Sequence, residues 1–132
     1  MTTTAKNILF TSFFIFFFVN ITNYKMVNMV NKNFTKKILK YSNPKIAQIK
    51  AFKYLGKKAI LYPSTKKEKK YMICDRKQNK WVHFGQIPYE DFTKHKNTKR
   101  RKNYLTRTLK IKGDWKKNPY SANNLSRNIL WN

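Results

Sequence analysis

The strongest constraint on the fold is a change of hydrophobic period along the chain. In "KKAILYPS", "KKYMICDR" and "KWVHFGQ", β-branched and aromatic residues alternate with others in short runs. The intervening "PSTKKEK" and "DRKQN" have the composition of turns. This spacing predicts three strands near residues 58–62, 70–74 and 80–84, joined as an antiparallel meander. Because successive side chains leave a strand on opposite faces, Ile60 and Tyr62 share a face, as do Tyr71 and Ile73, and Trp81 and His83. Leu61, Met72, Cys74, Val82 and Phe84 occupy the alternate positions. Three strands need a covering layer to be stable, and helices must supply it.

After Gly85 the period becomes helical. Asn97 is placed to cap a helix that runs through Lys110, since its side-chain oxygen can satisfy an early free amide, and Gly113 can turn the chain afterwards. Arg101, Tyr104, Leu105, Thr108 and Leu109 fall on one face of that helix. Lys99, Arg100, Lys102, Arg107 and Lys110 fall on the wet face. Ser121 is a second N-cap, opening a short closing helix in which Leu125 and Ile129 are spaced i,i+4 and Leu130 and Trp131 follow. The expected fold class is therefore α+β, a small three-stranded antiparallel meander covered by two C-terminal helices. Trp81, Phe84, Phe92, Tyr104 and Trp131 are its expected aromatic core.

Three segments follow. Residues 1–25 carry an apolar stretch, "NILFTSFFIFFFVNITNY", in which residues 7–24 hold no charge. As a helix it would reach about 27 Å, close to the hydrocarbon thickness of a bilayer. It fits a membrane anchor, a signal peptide or an over-extended start ahead of Met26, and the lysines that follow it favour keeping the basic body on the cytoplasmic side. Residues 26–56 read as a basic linker with a short helix around 33–41, punctuated by Asn43-Pro44. Residues 57–132 form the small basic α+β domain.

Composition enters through charge. Thirty Lys and Arg face five Asp and Glu, a formal net charge of +25. A folded chain so charged repels itself and needs anionic company: nucleic acid, an acidic protein, or an anionic membrane face approached through residues 7–24. Lys outnumbers Arg, which favours neutralising phosphate backbones over reading base edges. The excess also accords with A/T-rich coding, as do the many Asn, Ile, Phe and Tyr. A single cysteine, Cys74, excludes an internal disulfide and a cysteine zinc cage, and is expected as a buried small hydrophobe.

The candidates for chemistry lie in "YEDFTKH". Asp91 and His95 are spaced i,i+4 and, with Glu90, could form a metal or acid-base cluster if the segment is helical. No HExxH, glycine-rich phosphate loop or nucleophile motif accompanies them. The chain is accordingly read as non-enzymatic, without metal or cofactor, and a metal-dependent nuclease is the enzymatic alternative. The nucleic-acid reading rests on Lys94, Lys96, Lys99, Arg100, Lys102 and Arg107 around the helix and on Lys66 and Lys67 in the strand loop, interleaved with aromatic residues. Arg101 is left out, because it shares the stripe of Leu105 and its stem should pack.

"KWVHFG", "YEDFTKHK", "KRRKNYLTR" and "IKGDWKKNPYSANNLSRNILW" together resemble the small basic proteins of unknown function from nucleocytoplasmic large DNA viruses, the giant viruses and their relatives. The resemblance spans roughly Lys57 to Trp131. It falls on Phe84, Gly85, Tyr89, Asp91, Thr93, His95, Arg100, Arg101, Tyr104, Trp115, Leu130 and Trp131. Where that pattern often has an acidic residue this chain has Asn97, and both are strong N-caps. The resemblance implies a viral origin and a place in the virion, the host cytoplasm or the virus factory. It implies no activity. The charge of the chain and its apolar segment leave two expected functions: a virion-associated or accessory protein that neutralises nucleic acid without strong sequence preference, or a structural protein that meets an acidic capsid subunit or a membrane.

Overall fold

A computed structural model describes residues 34–132. The apolar segment 1–25 and the start of the expected linker lie outside the described residues. The architecture is α+β, with three antiparallel strands in the order β1-β2-β3 and helices on either side of them in sequence. Strand β2 runs Lys69–Asp75 and β3 runs Lys80–Gln86, in a register that sets Tyr71 opposite Phe84 and Ile73 opposite Val82. Between them the Asp75 carboxylate accepts from the amides of Lys77 and Gln78, and Asn79 takes a left-handed conformation, the local chemistry of a tight turn.

The sheet buries Tyr71, Ile73 and Phe84 with Leu61. The other positions, Tyr62, Trp81 and His83, remain partly or largely exposed, and Tyr62 and Trp81 meet edge to face at 5.5 Å. Two expectations need correction here. Trp81 is 49% exposed rather than part of the core, and Cys74 is half-buried rather than buried. The period of two was right, and the sheet has a covered and an uncovered face; burial follows the covered one.

The expected first strand, 58–62, shrinks to β1, Tyr62–Pro63. Its upstream residues are held by a side chain instead of a strand. Gln48, fully buried, donates to the Ala59 carbonyl at 2.7 Å and accepts from the Leu61 amide at 2.8 Å. That residue comes from the segment expected as a linker, which is a further correction. Residues 34–55 form helices α1, Lys36–Tyr41, and α2, Pro44–Leu55, and contribute Phe34, Ile38, Ala47 and Ala51 to the core. Asn43 caps α2 through the Ile46 amide, and Pro44 stands at its first position, where the missing N–H costs nothing.

The C-terminal turn packs on β3 as expected, and a helix from the N-terminal side joins it. Helix α2 packs against the C-terminal turn, where α5, Ala122–Leu125, continues as a single π-helical turn, Ser126–Leu130, and buries Leu125, Ile129 and Leu130. Ser121 caps α5 as the sequence indicated. Helix α3, Phe92–His95, precedes α4, Thr98–Leu109, which begins at its Asn97 cap. Only Thr108 of α4 is buried, and Leu109 is 50% exposed, so α4 leans on the domain by one edge instead of covering the sheet. No helix among the described residues is long and apolar enough to cross a membrane.

Candidate nucleic-acid interface

Helix α4 is fastened to the domain at both ends. At its start Arg101 lays its guanidinium 5.6 Å from the centre of the Phe92 ring and donates from Nε to the Trp131 carbonyl at 2.8 Å. Near its end Arg127 donates to the Leu105 carbonyl and to the Thr108 hydroxyl, each at 2.6 Å, so a distant side chain holds the last two turns. Between these anchors Tyr104 stacks on Trp131 at 4.1 Å with the rings within 6° of parallel. Arg101 thus acts as a structural side chain, in keeping with its place on the stripe. The role of Arg127 carried no local sequence signal.

A cleft of about 450 Å³ opens between the end of β3 and α4. Arg100, Asn103, Tyr104 and Arg107 line it from the helix, at the 3, 4 and 7 spacings that share one face. Gly85, Gln86, Tyr89 and Glu90 line it from the strand and the loop beyond, and Leu130 and Trp131 close its base. Gly85 has φ +82°, and a Cβ there would stand 3.0 Å from Leu130 Cδ1 and 3.2 Å from the Lys70 stem. Its missing side chain is what lets strand, lysine and C-terminal turn meet.

Beneath the cleft lies a buried ion pair. Lys70 Nζ is 3.1 Å from Asp91 Oδ2, with the two side chains 2% and 1% exposed. Desolvation holds the Lys70 ammonium below its ordinary pKa, and the Asp91 carboxylate pulls it back up. The other oxygen of Asp91 accepts from the Thr93 amide at 3.0 Å and from the Thr93 hydroxyl. Thr93 Oγ1 in turn accepts from the Asn43 amide at 2.9 Å and lies 3.2 Å from Ser42 Oγ. Ser42 accepts from the Tyr71 phenol at 2.6 Å. Since the Thr93 proton is already given to Asp91, Ser42 must donate to Thr93, and every hydroxyl in the chain Tyr71, Ser42, Thr93 points its proton towards the carboxylate. Burial raises the pKa of the Tyr71 phenol, which keeps it a donor.

This network disperses the Glu90, Asp91 and His95 cluster considered from sequence. Asp91 is buried as the cap of α3 and the partner of Lys70. Glu90 reaches Arg100 at 3.9 Å near the surface, and His95 Nδ1 accepts from the Asn97 amide at 2.9 Å. Among the described residues no group of three His, Cys, Asp or Glu side chains is arranged to hold a metal ion. The expected basic set is also divided. Arg100 and Arg107 face the cleft, whereas Lys99 and Lys102 lie round the helix on its outer face by their spacing; Lys94 and Lys96 sit at α3 and its end, and Lys66 and Lys67 project from the β1–β2 loop. All eight are exposed. What sequence reasoning missed is Lys70, which looks like any other basic residue in "KKEKKY", and Tyr89, Gln86 and Asn103, whose convergence depends on the turn after β3.

Residues 59–108 match the sequence model of a family described as a family of unknown function, DUF5754. That span includes Lys70, Gly85, Tyr89, Asp91, Thr93, Arg100, Tyr104 and Arg107, and stops short of Leu130 and Trp131 at the base of the cleft. No curated protein and no solved structure matches significantly.

Proposed function

We propose that this chain is a non-enzymatic, virion-associated or accessory viral protein that neutralises nucleic acid with little sequence preference. The observation that carries the reading is the state of its charge. All five acidic residues lie among the described residues, yet only Lys70–Asp91 and Arg100–Glu90 form ion pairs there, the second at 3.9 Å and half exposed. Apart from Arg100, which meets Glu90, and Arg101, which packs on Phe92, the lysines and arginines of α3, α4 and the β1–β2 loop face solvent, and no ion pair among the described residues engages them. A polyanion is the ligand that such a surface takes up, by releasing the counterions condensed on its phosphates. The viral assignment rests on the resemblance of residues 57–131.

Titrating the full chain with unrelated duplexes at several salt concentrations tests the proposal. Log K should fall linearly with log salt at a slope of about −0.9 per phosphate contact and should differ little between sequences. Binding that ignores salt, or that selects one sequence strongly, would remove this function. A second reading, a structural protein docked on an acidic capsid partner, is favoured by the Tyr62–Trp81 pair on the uncovered sheet face, which is 41% and 49% exposed. It predicts weak, sequence-blind binding to DNA and a tight complex with the acidic protein.

A further inference from the structure

We infer that the cleft between β3 and α4 seats one unstacked nucleotide of a single strand, with the base against Tyr89 and the flanking phosphates on Arg100 and Arg107. The inference rests on the nucleic-acid reading above and adds to it a strand preference and a place. Tyr89 is 66% exposed at the cleft mouth, and among the described residues neither an aromatic ring nor a cation lies on it. Every other aromatic of the cleft is already occupied, Tyr104 by Trp131 and the Arg107 guanidinium, Trp131 by Tyr104 and His95. An exposed ring with free faces, lining the same cleft as a rigid stacked pair, offers a place for a planar group. A nucleobase offers that plane only when it leaves the stack.

The remaining lining fits the rest of a nucleotide. Asn103 brings a side-chain amide from the helix wall, with a donor and an acceptor that can meet any base edge without dictating which, while the Gln86 amide on the strand wall already accepts from Lys69 and donates to the Ile87 carbonyl, each at 3.3 Å, and has one further N–H to offer. Arg100 and Arg107 are seven residues apart on one helix, about 10 Å along its axis, so they address phosphates on either side of a seated nucleotide instead of one phosphate together. Glu90 lies on the strand-side wall near Arg100, and its carboxylate keeps phosphate away from that wall. The volume, about 450 Å³, is in the range of pockets that take small organic ligands. A duplex presents phosphates but no free base face, so it would engage only the outer basic surface.

Fluorescence anisotropy of the full chain with a labelled oligodeoxythymidine and with a mixed-sequence duplex of equal length decides the matter. Tyr89→Ala should weaken the single strand by about tenfold, the scale of one stacked base, and leave the duplex unchanged. Tyr89→Phe should retain single-strand affinity, because it keeps the ring. Being exposed, Tyr89 can be exchanged without disturbing the core, which a melting curve checks. Equal losses on both ligands, or no loss on the single strand, would overturn the inference and leave general polyanion binding in place. Failure of the unaltered chain to bind either ligand would overturn both readings.

Discussion

Lys70 and Asp91 form an ion pair at 3.1 Å in a part of the domain where neither side chain reaches solvent. The pair joins β2 to the start of α3, and through Thr93 and Ser42 it is tied to Asn43 and the start of α2. Removing one charge strands the other. Asp91→Asn keeps the shape and the helix cap but leaves the ammonium buried without a counter-charge, which should cost about 3–5 kcal/mol in denaturant unfolding. Lys70→Met combined with Asp91→Asn should recover part of that loss. A double variant as unstable as the sum of its singles would show that the two charges do not act as a pair.

Gln48 and the segment it clamps give a second test. Its amide replaces two strand hydrogen bonds for Ala59 and Leu61, so Gln48→Leu leaves a buried carbonyl and a buried amide unpaired. At about 1–3 kcal/mol for each unsatisfied group, a loss of about 2–6 kcal/mol is expected. Hydrogen exchange at the Leu61 amide should accelerate in any variant that still folds.

Gly85 and Gly113 separate crowding from backbone strain. Both have positive φ, +82° and +105°, but a Cβ at Gly85 would press on Leu130 and Lys70 while one at Gly113 would meet nothing within 4 Å. Gly113→Ala should therefore cost about 1 kcal/mol through conformation alone, and Gly85→Ala should cost about 1–3 kcal/mol more by overpacking. Equal melting temperatures for the two variants would refute the close packing at the cleft floor.

The contrast between these sites explains what was visible in the sequence. Strands β2 and β3 were legible because short runs of β-branched and aromatic residues around Tyr71, Ile73 and Phe84 are separated by residues of turn composition, and the caps Asn97 and Ser121 were legible because they act within three residues of themselves. Helix α2 was not. Its buried positions are Pro44, Ala47, Gln48 and Ala51, small or polar residues that give no apolar stripe, and Asn43-Pro44, which starts the helix, has equally the composition of a turn. Of the site, the guanidinium groups at 100 and 107 could be named from spacing. Their division from Lys99 and Lys102 depends on which edge of α4 the distant Arg127 and Trp131 hold against the domain, and no local pattern encodes that.

His95 supplies a pH dependence. Its pKa is lowered first by desolvation and then by Arg100, and Asp91 opposes the shift. The folded state thus binds the proton more weakly than the unfolded chain, whose value is near 6.5. The associated stability is complete above about pH 6.5 and is lost as pH falls through the lower folded value. His83 is lowered in the same direction, by desolvation with Lys66 and Lys69 behind it, so the control must remove both. Melting temperature should decline on acidification from about pH 7.5 to 5 in the natural chain, and the decline should be shallower in His83→Gln, His95→Gln. An unaltered slope in the double variant would assign the acid sensitivity elsewhere.

The two basic strips of α4 can be told apart from each other and from the strand loop by salt dependence. Suppose four phosphate contacts form on duplex DNA: log K should then fall with log salt at a slope of about −3.6, and each contact removed should flatten it by about 0.9. Lys99 and Lys102 lie on the outer face of α4, free of the cleft, so Lys99→Gln with Lys102→Gln should flatten the duplex slope and leave the fold intact. Arg100→Gln with Arg107→Gln alters the cleft wall, and if the cleft serves single strands its effect should be larger there than on duplex. Lys66→Gln with Lys67→Gln changes charge in the β1–β2 loop and serves as the reference. Equal small changes from all three pairs would mean that charge acts diffusely over the surface. A duplex slope untouched by the Lys99 and Lys102 pair would remove α4 from the duplex interface and favour an acidic protein partner for this domain.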